Sequence, residues 1–221
     1  MRSVPKPLAG VFFDLDGTLV DSARDMHDAL AALCRELGIE VPPYEVVRET
    51  VSRGARAVLR CAVGDDEARI DAVMPRFLEL YVVTGMVNTH AFAGMDLVLQ
   101  QLEARDVRWG VVSNKAGSLV ALVMTKLGYD ARADAVVGGD TLAKRKPDPD
   151  PVLHACALAG VEPAQCVYVG DDPRDVTAGH GAGLYTVAAG WGYLGGADPQ
   201  AWGPDAVSTD PYHLAVLLGL A

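Results

Sequence analysis

The sequence has few cysteines, a shortage of basic residues and no long apolar segment, and each of these features excludes a class of protein. Its four cysteines lie far apart and form no CxxC pair, so a structural zinc site is not indicated and the thiols fit a reducing cytoplasm. Acidic residues outnumber lysines and arginines by 29 to 19, which gives a formal net charge of −10. This balance disfavours nonspecific binding to nucleic acid or to an anionic membrane surface.

Apolar segments of the length needed by a membrane span or a signal peptide are also missing from the sequence. We therefore expect a cytoplasmic protein with no nucleic-acid partner and no membrane partner, either a monomer or a homodimer. The chain has 221 residues, of which 50% are hydrophobic. This is enough to bury the core of one large domain, with or without a small second unit.

Five short apolar runs predict the strands of one buried sheet. Helical patterns lie between most of these runs, and such alternation is typical of a mainly parallel, doubly wound sheet. We therefore expect an α/β fold with a Rossmann-like core. The predicted strands are Gly10–Phe13, Val107–Val112, Ala135–Val137, Cys166–Val169 and Leu184–Val187.

The stretch between the first two predicted strands contains helical periodicity and no strong strand pattern. Apolar spacing predicts helices over Ser22–Leu37, over a zone from Pro43 to about Val63, and over Asp66–Val82. We expect residues 19–87 to form an inserted α-helical cap, joined by two linkers to a core made of residues 1–18 and 88–221. A cap placed there could close over a reactive centre and exclude water.

The first predicted strand ends in two aspartates, within the segment VFFDLDGT of residues 11–18. Residues i and i+2 of an extended chain point the same way, so Asp14 and Asp16 are expected to project together from the carboxyl end of the strand. Two adjacent carboxylates repel each other unless a cation or a shared proton neutralises them. The pattern favours a nucleophile, an acid/base group and a Mg²⁺ site over a polar turn.

Two further segments carry groups that could bind phosphate. Ser113 and Asn114 end the second predicted strand; the Ser113 hydroxyl and the Asn114 amide could donate to phosphate oxygens, or the pair could cap a helix. The segment KRKPDPDP, residues 144–151, places Lys146 in a loop stiffened by proline, where a cation is held at low entropic cost. Lys144 and Arg145 are the alternative cations.

A third acidic segment, VYVGDDPRD of residues 167–175, follows another predicted strand. Mg²⁺ prefers carboxylate oxygens and keeps several waters, so Asp171 is the candidate ligand. Asp175 lies one helical turn further along and could orient Lys146 or a metal-bound water. Asp172 could be a ligand or a supporting group, although a helix cap suits it better.

Together these four segments, in this order, resemble the motifs of the haloacid dehalogenase superfamily, in its phosphatase branch. The resemblance covers nearly the whole chain. It implies phosphoryl transfer through an aspartyl-phosphate, with Asp14 as nucleophile and Asp16 as the acid/base group. It also implies Mg²⁺ bound by Asp14, Asp171 and the Asp16 backbone carbonyl, with Ser113 and Lys146 stabilising charge in the transition state.

The resemblance implies two further points about the first motif. Metal-free dehalogenases of the superfamily lack the second aspartate, so the presence of Asp16 favours phosphoester chemistry over haloacid chemistry. Thr18 is expected to hydrogen-bond Asp16 or the surrounding loop, in a role that is either part of the phosphate site or purely structural.

Two segments outside the motifs bear on the substrate. The turn Ser52–Arg56 is similar to a glycine-rich turn of phosphoglycolate phosphatases, and the segments around Trp191 and Trp202 resemble those of bacterial N-acetylmuramic acid 6-phosphate phosphatases. Both substrates carry a carboxylate, which Arg53 could bind. Arg53, Arg56 and Arg60 share one helical face, and that face could equally be solvated.

Two other functions share parts of this pattern. A sugar-phosphate mutase of the β-phosphoglucomutase type would carry all four motifs, and its cap would have to retain a bisphosphate intermediate. A non-enzymatic phosphate-binding protein could be built on an inactive core of the same kind. The presence of both Asp14 and Asp16 argues against the non-enzymatic alternative.

Overall fold

Residues 2–221 are described by a computed structural model, in which strands and helices alternate through most of the chain. The strands are β1 (Gly10–Phe13), β2 (Val20–Asp21), β3 (His90–Ala91), β4 (Arg108–Val112), β5 (Ala135–Val137), β6 (Cys166–Gly170), β7 (Tyr185–Ala189) and β8 (Ala206–Ser208). The helices are α1 (Ala23–Leu37), α2 (Tyr44–Arg48), α3 (Ala55–Val63), α4 (Glu67–Val83), α5 (Met95–Glu103), α6 (Gly117–Leu127), α7 (Asp150–Ala159), α8 (Pro173–Gly181) and α9 (Pro211–Leu217).

The main sheet contains six strands in the order β5-β4-β1-β6-β7-β8. Every neighbouring pair is parallel, with β1 in the middle between β4 and β6. The doubly wound α/β fold predicted from the sequence is thereby confirmed. The strand β8 is the one strand of this sheet that the sequence did not predict, because its sequence Ala-Val-Ser is not a wholly apolar run, unlike that of the equally short edge strand β5.

Burial on both faces explains why these strands are continuous apolar runs. Every residue of β1 is buried, and Phe12 and Phe13 point into separate core clusters on opposite faces of the sheet. Side chains of α5, α6 and α9 join the cluster of Phe13, and side chains of α7 and α8 join the cluster of Phe12. The two layers of helices hold the carboxyl ends of the strands in fixed positions.

The helices α1 to α4 all lie in the chain between β2 and β3, which pair with each other in an antiparallel ribbon. Helix α1 packs against the other three helices of this group. The helical zone predicted from Pro43 to Val63 is divided into α2, a 3₁₀ turn at Val51–Arg53 and α3. It breaks at Gly54, whose φ of 85° is incompatible with a continuous helix.

A buried carboxylate ties α1 to the chain segment that precedes β3. Asp25 is fully buried and accepts hydrogen bonds from the backbone and side-chain nitrogens of Asn88 and from the hydroxyl of Thr89. Four hydrogen bonds from these three donors satisfy this charge away from water. None of the helices in residues 2–221 is both long enough and apolar enough to cross a membrane.

Packing of α5 against the sheet gives a test of the core. Leu99 is fully buried, whereas Leu97 on the same helix is 42% exposed. We predict that Leu99→Ala lowers the free energy of unfolding by about 2 to 5 kcal/mol, through lost burial and the cavity left behind. The control Leu97→Ala should change it by no more than about 0.5 kcal/mol. Urea unfolding would measure both, and equal losses would contradict this packing.

Candidate active site

Three neighbouring strands end in the polar side chains of the candidate site. Asp14 follows β1, Ser113 follows β4 and Asp171 follows β6. Because these strands are parallel and adjacent, their carboxyl ends meet at one edge of the sheet. The structure thus brings together side chains that lie far apart in the sequence.

A buried lysine joins two of the carboxylates at this edge. The Lys146 ammonium lies 2.9 Å from Asp14 Oδ1 and 2.7 Å from Asp175 Oδ1, and it also donates to the hydroxyl of Tyr168 at 3.0 Å. Burial alone would lower the pKa of Lys146, but the charges of Asp14 and Asp175 outweigh burial and raise it well above its usual range. Lys146 is therefore charged.

Asp172 and Asp175 both occupy the first turn of α8 and form a capping box. The Asp172 carboxylate accepts from the backbone nitrogen of Arg174 at 2.9 Å, and the Asp175 carboxylate accepts from the backbone nitrogen of Asp172 at 3.1 Å. Asp172 is also paired with the guanidinium of Arg174. Asp172 is thus the N-cap of α8. Asp175 completes the capping box and also pairs with Lys146.

Asp171 is almost completely buried and accepts hydrogen bonds at both oxygens. Thr18 Oγ1 lies 3.2 Å from Oδ1, while Ser52 Oγ and the Tyr193 backbone nitrogen lie 2.6 and 2.8 Å from Oδ2. Burial, together with the nearby charges of Asp14 and Asp175, raises the pKa of Asp171 well above its usual range. The hydroxyl of Thr18 thus hydrogen-bonds Asp171. The sequence had suggested Asp16 or the surrounding loop as its partner.

Glycine is required where the first loop passes Asp171. Gly17 has a φ of 86°, and a Cβ atom at this position would come within 2.0 Å of Asp171 Oδ2. A side chain would therefore displace the carboxylate as well as strain the backbone. This contact gives a physical reason for glycine directly after Asp16.

The carboxylates at this edge fit a divalent cation. Asp14, Asp171 and Asp175 each offer an oxygen, and these oxygens lie within 4.8 Å of one another. Burial and mutual repulsion raise the pKa of Asp171 and bring that of Asp175 to about 7, despite Lys146. A further positive charge would keep Asp171 and Asp175 ionised, and carboxylate oxygens are the ligands that Mg²⁺ prefers.

Asp16 lines the same cavity as Asp14, but its carboxylate turns to a different set of partners. Lys115 Nζ lies 2.9 and 3.1 Å from the two Asp16 oxygens, and the Ser22 hydroxyl also donates to Oδ1. Lys115 also donates to the hydroxyl of Tyr81, on α4, at 2.9 Å. The backbone carbonyl of Asp16, predicted as a cation ligand, lies 3.5 Å from Ser52 Oγ.

Ser113 and Asn114 lie where the sequence placed them, at the end of β4. The Ser113 hydroxyl lines the cavity and accepts from the Lys115 backbone nitrogen at 3.3 Å, while Asn114 Nδ2 donates to the Lys146 carbonyl at 2.9 Å. Neither residue caps a helix, since α6 begins at Gly117 after Ala116. Asn114 thereby fixes the loop that carries Lys146.

These groups surround a cavity of about 600 Å³ between the edge of the sheet and the helices α1 to α4. Its polar end holds Asp14, Asp16, Ser113, Asn114 and Lys146. The side formed by the helices is largely apolar, and the 3₁₀ turn at Val51–Arg53 lies along it. The apolar lining residues from this side are Met26, Val51, Met74 and Leu78.

The three arginines predicted to share one face have different environments. Arg56 pairs with Glu67 and Asp71, and Arg60 also pairs with Glu67. Arg53 and Arg56 both line the cavity, but within residues 2–221 no carboxylate lies within ion-pair distance of Arg53. Nearby acids therefore neutralise the charges of Arg56 and Arg60, while Arg53 is available to a ligand.

The contacts of Lys115, Ser52 and Arg174 were not predicted from the sequence. Lys115 directly follows Ser113 and Asn114, and Ser52 lies in the glycine-rich turn that resembles a known family feature, so these positions were the available indications. Arg174 gave none, because its contact with the Ser52 carbonyl joins chain segments more than 100 residues apart.

Comparison with known proteins agrees with this geometry. Residues 11–189 match the family model described as haloacid dehalogenase-like hydrolase. The chain belongs to the haloacid dehalogenase-like hydrolase family. This confirms the family predicted from the four motifs.

Relatives of this hydrolase are similar over nearly their whole length. A phosphoglycolate phosphatase from Xanthomonas campestris pv. campestris is 43% identical, over 92% of this chain and 93% of the relative. An N-acetylmuramic acid 6-phosphate phosphatase from Pseudomonas aeruginosa is 35% identical, over 97% and 96%. The crystal structure of a predicted phosphoglycolate phosphatase from Haemophilus somnus matches with a TM-score of 0.84 at 25% identity, over 95% of this chain and 96% of that one.

The buried Lys146 of the hydrolase gives a test of the site's electrostatics. We predict that Lys146→Met lowers the free energy of unfolding by about 3 to 5 kcal/mol relative to the parent protein, because it leaves buried carboxylates without their partner. Both proteins are measured in EDTA. Lys144→Met is the matched control, since its ammonium pairs with Asp148 and Asp150 on the surface and should lose nothing measurable. Equal stabilities of the two variants in denaturant titrations would contradict the site described here.

Proposed function

We propose that this hydrolase is a Mg²⁺-dependent phosphatase that acts on a small phosphomonoester bearing a carboxylate. The observation that carries the proposal is the contact of Lys146 with Asp14 at the polar end of the cavity, beside Asp171 and Asp175. A buried carboxylate held by a cation, next to further cation ligands, suits attack on a phosphate group. The curated relatives support it further, because they are named as phosphatases of two esters that carry a carboxylate.

Asp14 is the proposed nucleophile. Among residues 2–221, the hydrogen bond from the Leu15 backbone nitrogen and the ion pair with Lys146 Nζ both engage Oδ1. Oδ2 is therefore the atom that we propose for attack on phosphorus. A bond forms between Asp14 Oδ2 and phosphorus while the bond from phosphorus to the ester oxygen breaks, which yields an aspartyl-phosphate and an alcohol.

Asp16 is the proposed acid/base group. It gives its proton to the departing ester oxygen, then takes a proton from the water that attacks the aspartyl-phosphate, which regenerates Asp14 and releases inorganic phosphate. Contacts with Lys115 and Ser22 hold its carboxylate in place. Ser113, Asn114 and Lys146 lie where they could stabilise negative charge on the phosphoryl oxygens.

A divalent cation fits the carboxylate cluster. The proposed ligands are Asp14, Asp171 and the backbone carbonyl of Asp16, with Asp175 and Asp172 in supporting roles. Bound Mg²⁺ would supply charge neutralisation for the approach of an anionic phosphate to anionic carboxylates. Thr18 supports this arrangement through its hydrogen bond to Asp171.

Residues 19–87 are the proposed cap over a core of residues 1–18 and 88–221. The antiparallel pairing of β2 with β3, and the position of all four helices between them in the chain, support this division. The turn that carries Ser52 and Arg53 then belongs to the cap, while the phosphate-binding groups belong to the core. Specificity would accordingly lie in the cap.

The cavity favours the larger of the two acids named for the relatives. Phosphoglycolate is a two-carbon acid, whereas N-acetylmuramate 6-phosphate is a hexose with acetamido and lactyl groups. A cavity of about 600 Å³ with Met26, Met74 and Leu78 along one side suits a bulky ligand with apolar substituents. We therefore propose N-acetylmuramate 6-phosphate as the better substrate.

Phosphate release from a panel of esters tests the proposed function. The panel holds N-acetylmuramate 6-phosphate, phosphoglycolate, hexose phosphates and nucleotides, each with Mg²⁺ and with EDTA. We predict the highest kcat/KM for N-acetylmuramate 6-phosphate and loss of activity in EDTA. Interconversion of sugar-phosphate isomers that requires a bisphosphate activator would instead support the mutase alternative, and activity undiminished by EDTA would contradict the cation site.

Arg53 is the proposed partner of the substrate carboxylate. Replacing it in Arg53→Gln removes a charge-assisted hydrogen bond, so we predict a rise in KM of about 10-fold or more for the acidic substrate. The KM for a hexose phosphate without a carboxylate should stay within about 2-fold. Arg60→Gln is the matched control because Arg60 is not among the residues that line the cavity and already pairs with Glu67. An equal effect of Arg53→Gln on both substrates would refute carboxylate recognition.

A further inference from the structure

One short segment of the proposed cap contacts the carboxylate cluster directly. Ser52 Oγ donates to Asp171 Oδ2 at 2.6 Å and lies 3.5 Å from the backbone oxygen of Asp16. Both acceptors are oxygens of the proposed cation ligands, namely the Asp171 carboxylate and the Asp16 backbone carbonyl. Ser52 is the one residue of α1 to α4 and their connections, within the described part of the chain, whose side chain donates to Asp171.

A second contact holds the same turn in place without using the Ser52 side chain. The guanidinium of Arg174 is bound to both oxygens of Asp172 and donates from Nη2 to the Ser52 carbonyl at 2.7 Å. The turn is thus fixed to the loop that carries Asp171.

The flanking residues of the turn also dock on the core. Glu49 accepts from the Gly195 backbone nitrogen at 2.7 Å, and the guanidinium of Arg48 lies over the ring of Tyr193 at 4.9 Å. The Tyr193 backbone nitrogen is the other donor to Asp171 Oδ2. Asp171 Oδ2 therefore receives one donor from a core loop and one from the turn, and the two loops contact each other.

We propose that Ser52 is a positioning residue for Asp171, and that its hydroxyl couples the docking of the turn to the affinity of the site for a divalent cation. This inference rests on the proposed role of Asp171 as a cation ligand. Hydrogen bonds to a ligating carboxylate fix its orientation, and their loss costs about 10- to 100-fold in metal affinity. Docking of the turn and cation binding then favour each other, because each stabilises the same orientation of Asp171.

Mg²⁺ binding by the full-length protein, measured by titration calorimetry without substrate, tests this coupling. We predict that Ser52→Ala weakens Mg²⁺ binding by about 10-fold, while Ser52→Thr, which keeps a hydroxyl, stays near the parent protein. The bond from Arg174 to the Ser52 carbonyl does not depend on the side chain, so Ser52→Ala is expected to fold. Ser118→Ala, an exposed serine of α6, is the matched control and should bind Mg²⁺ unchanged.

The reverse direction of the coupling is measured by hydrogen exchange. Mg²⁺ should slow amide exchange in residues 49–54 of the parent protein, and this protection should be smaller in Ser52→Ala. Unchanged Mg²⁺ affinity and unchanged protection in Ser52→Ala would overturn the coupling. The variant Asp171→Asn separates the two proposals: if it still binds Mg²⁺ normally, the ligand role of Asp171 fails, and if it loses Mg²⁺ while Ser52→Ala does not, the coupling alone fails.

Discussion

The ammonium group of Lys146, buried against Asp14 and Asp175, is the contact on which the rest of the site depends. Charges are costly to remove from water, and a buried ion pair is tolerated only where geometry and further hydrogen bonds compensate. Here Tyr168 and the capping box of α8 supply those bonds. The sheet brings the groups together, but one lysine does not balance Asp14, Asp171 and Asp175. The remaining negative charge makes this edge suited to a cation and to an anionic substrate.

Much of this arrangement could be predicted because it is local in the sequence. The predicted strands are largely apolar runs of three to five residues, and the groups that carry chemistry follow them directly, as Asp14 follows Phe13 and Asp171 follows Gly170. Parallel pairing then places the ends together without further information. Three-residue β8 was not predicted, because Ala-Val-Ser is not a wholly apolar run, unlike the equally short β5.

Contacts between distant segments could not be predicted in this way. The hydrogen bonds from Lys115 to Asp16, and from Ser52 and Thr18 to Asp171, form only because the fold brings these distant segments together. The same limit applies to the arginines after the 3₁₀ turn. Their spacing predicts a shared basic face, but the acids that neutralise Arg56 and Arg60 come later in the chain, on α4 or in the loop just before it.

Trapping the intermediate would test covalent transfer of the phosphoryl group to Asp14. Rapid acid quenching of the protein during turnover, followed by peptide mass spectrometry, would locate the transferred phosphoryl group. We expect a phosphorylated peptide in which Asp14 carries the group, and no such peptide from Asp14→Asn. Phosphate release without any phosphorylated Asp14, or a phosphoryl group found on another residue, would contradict it.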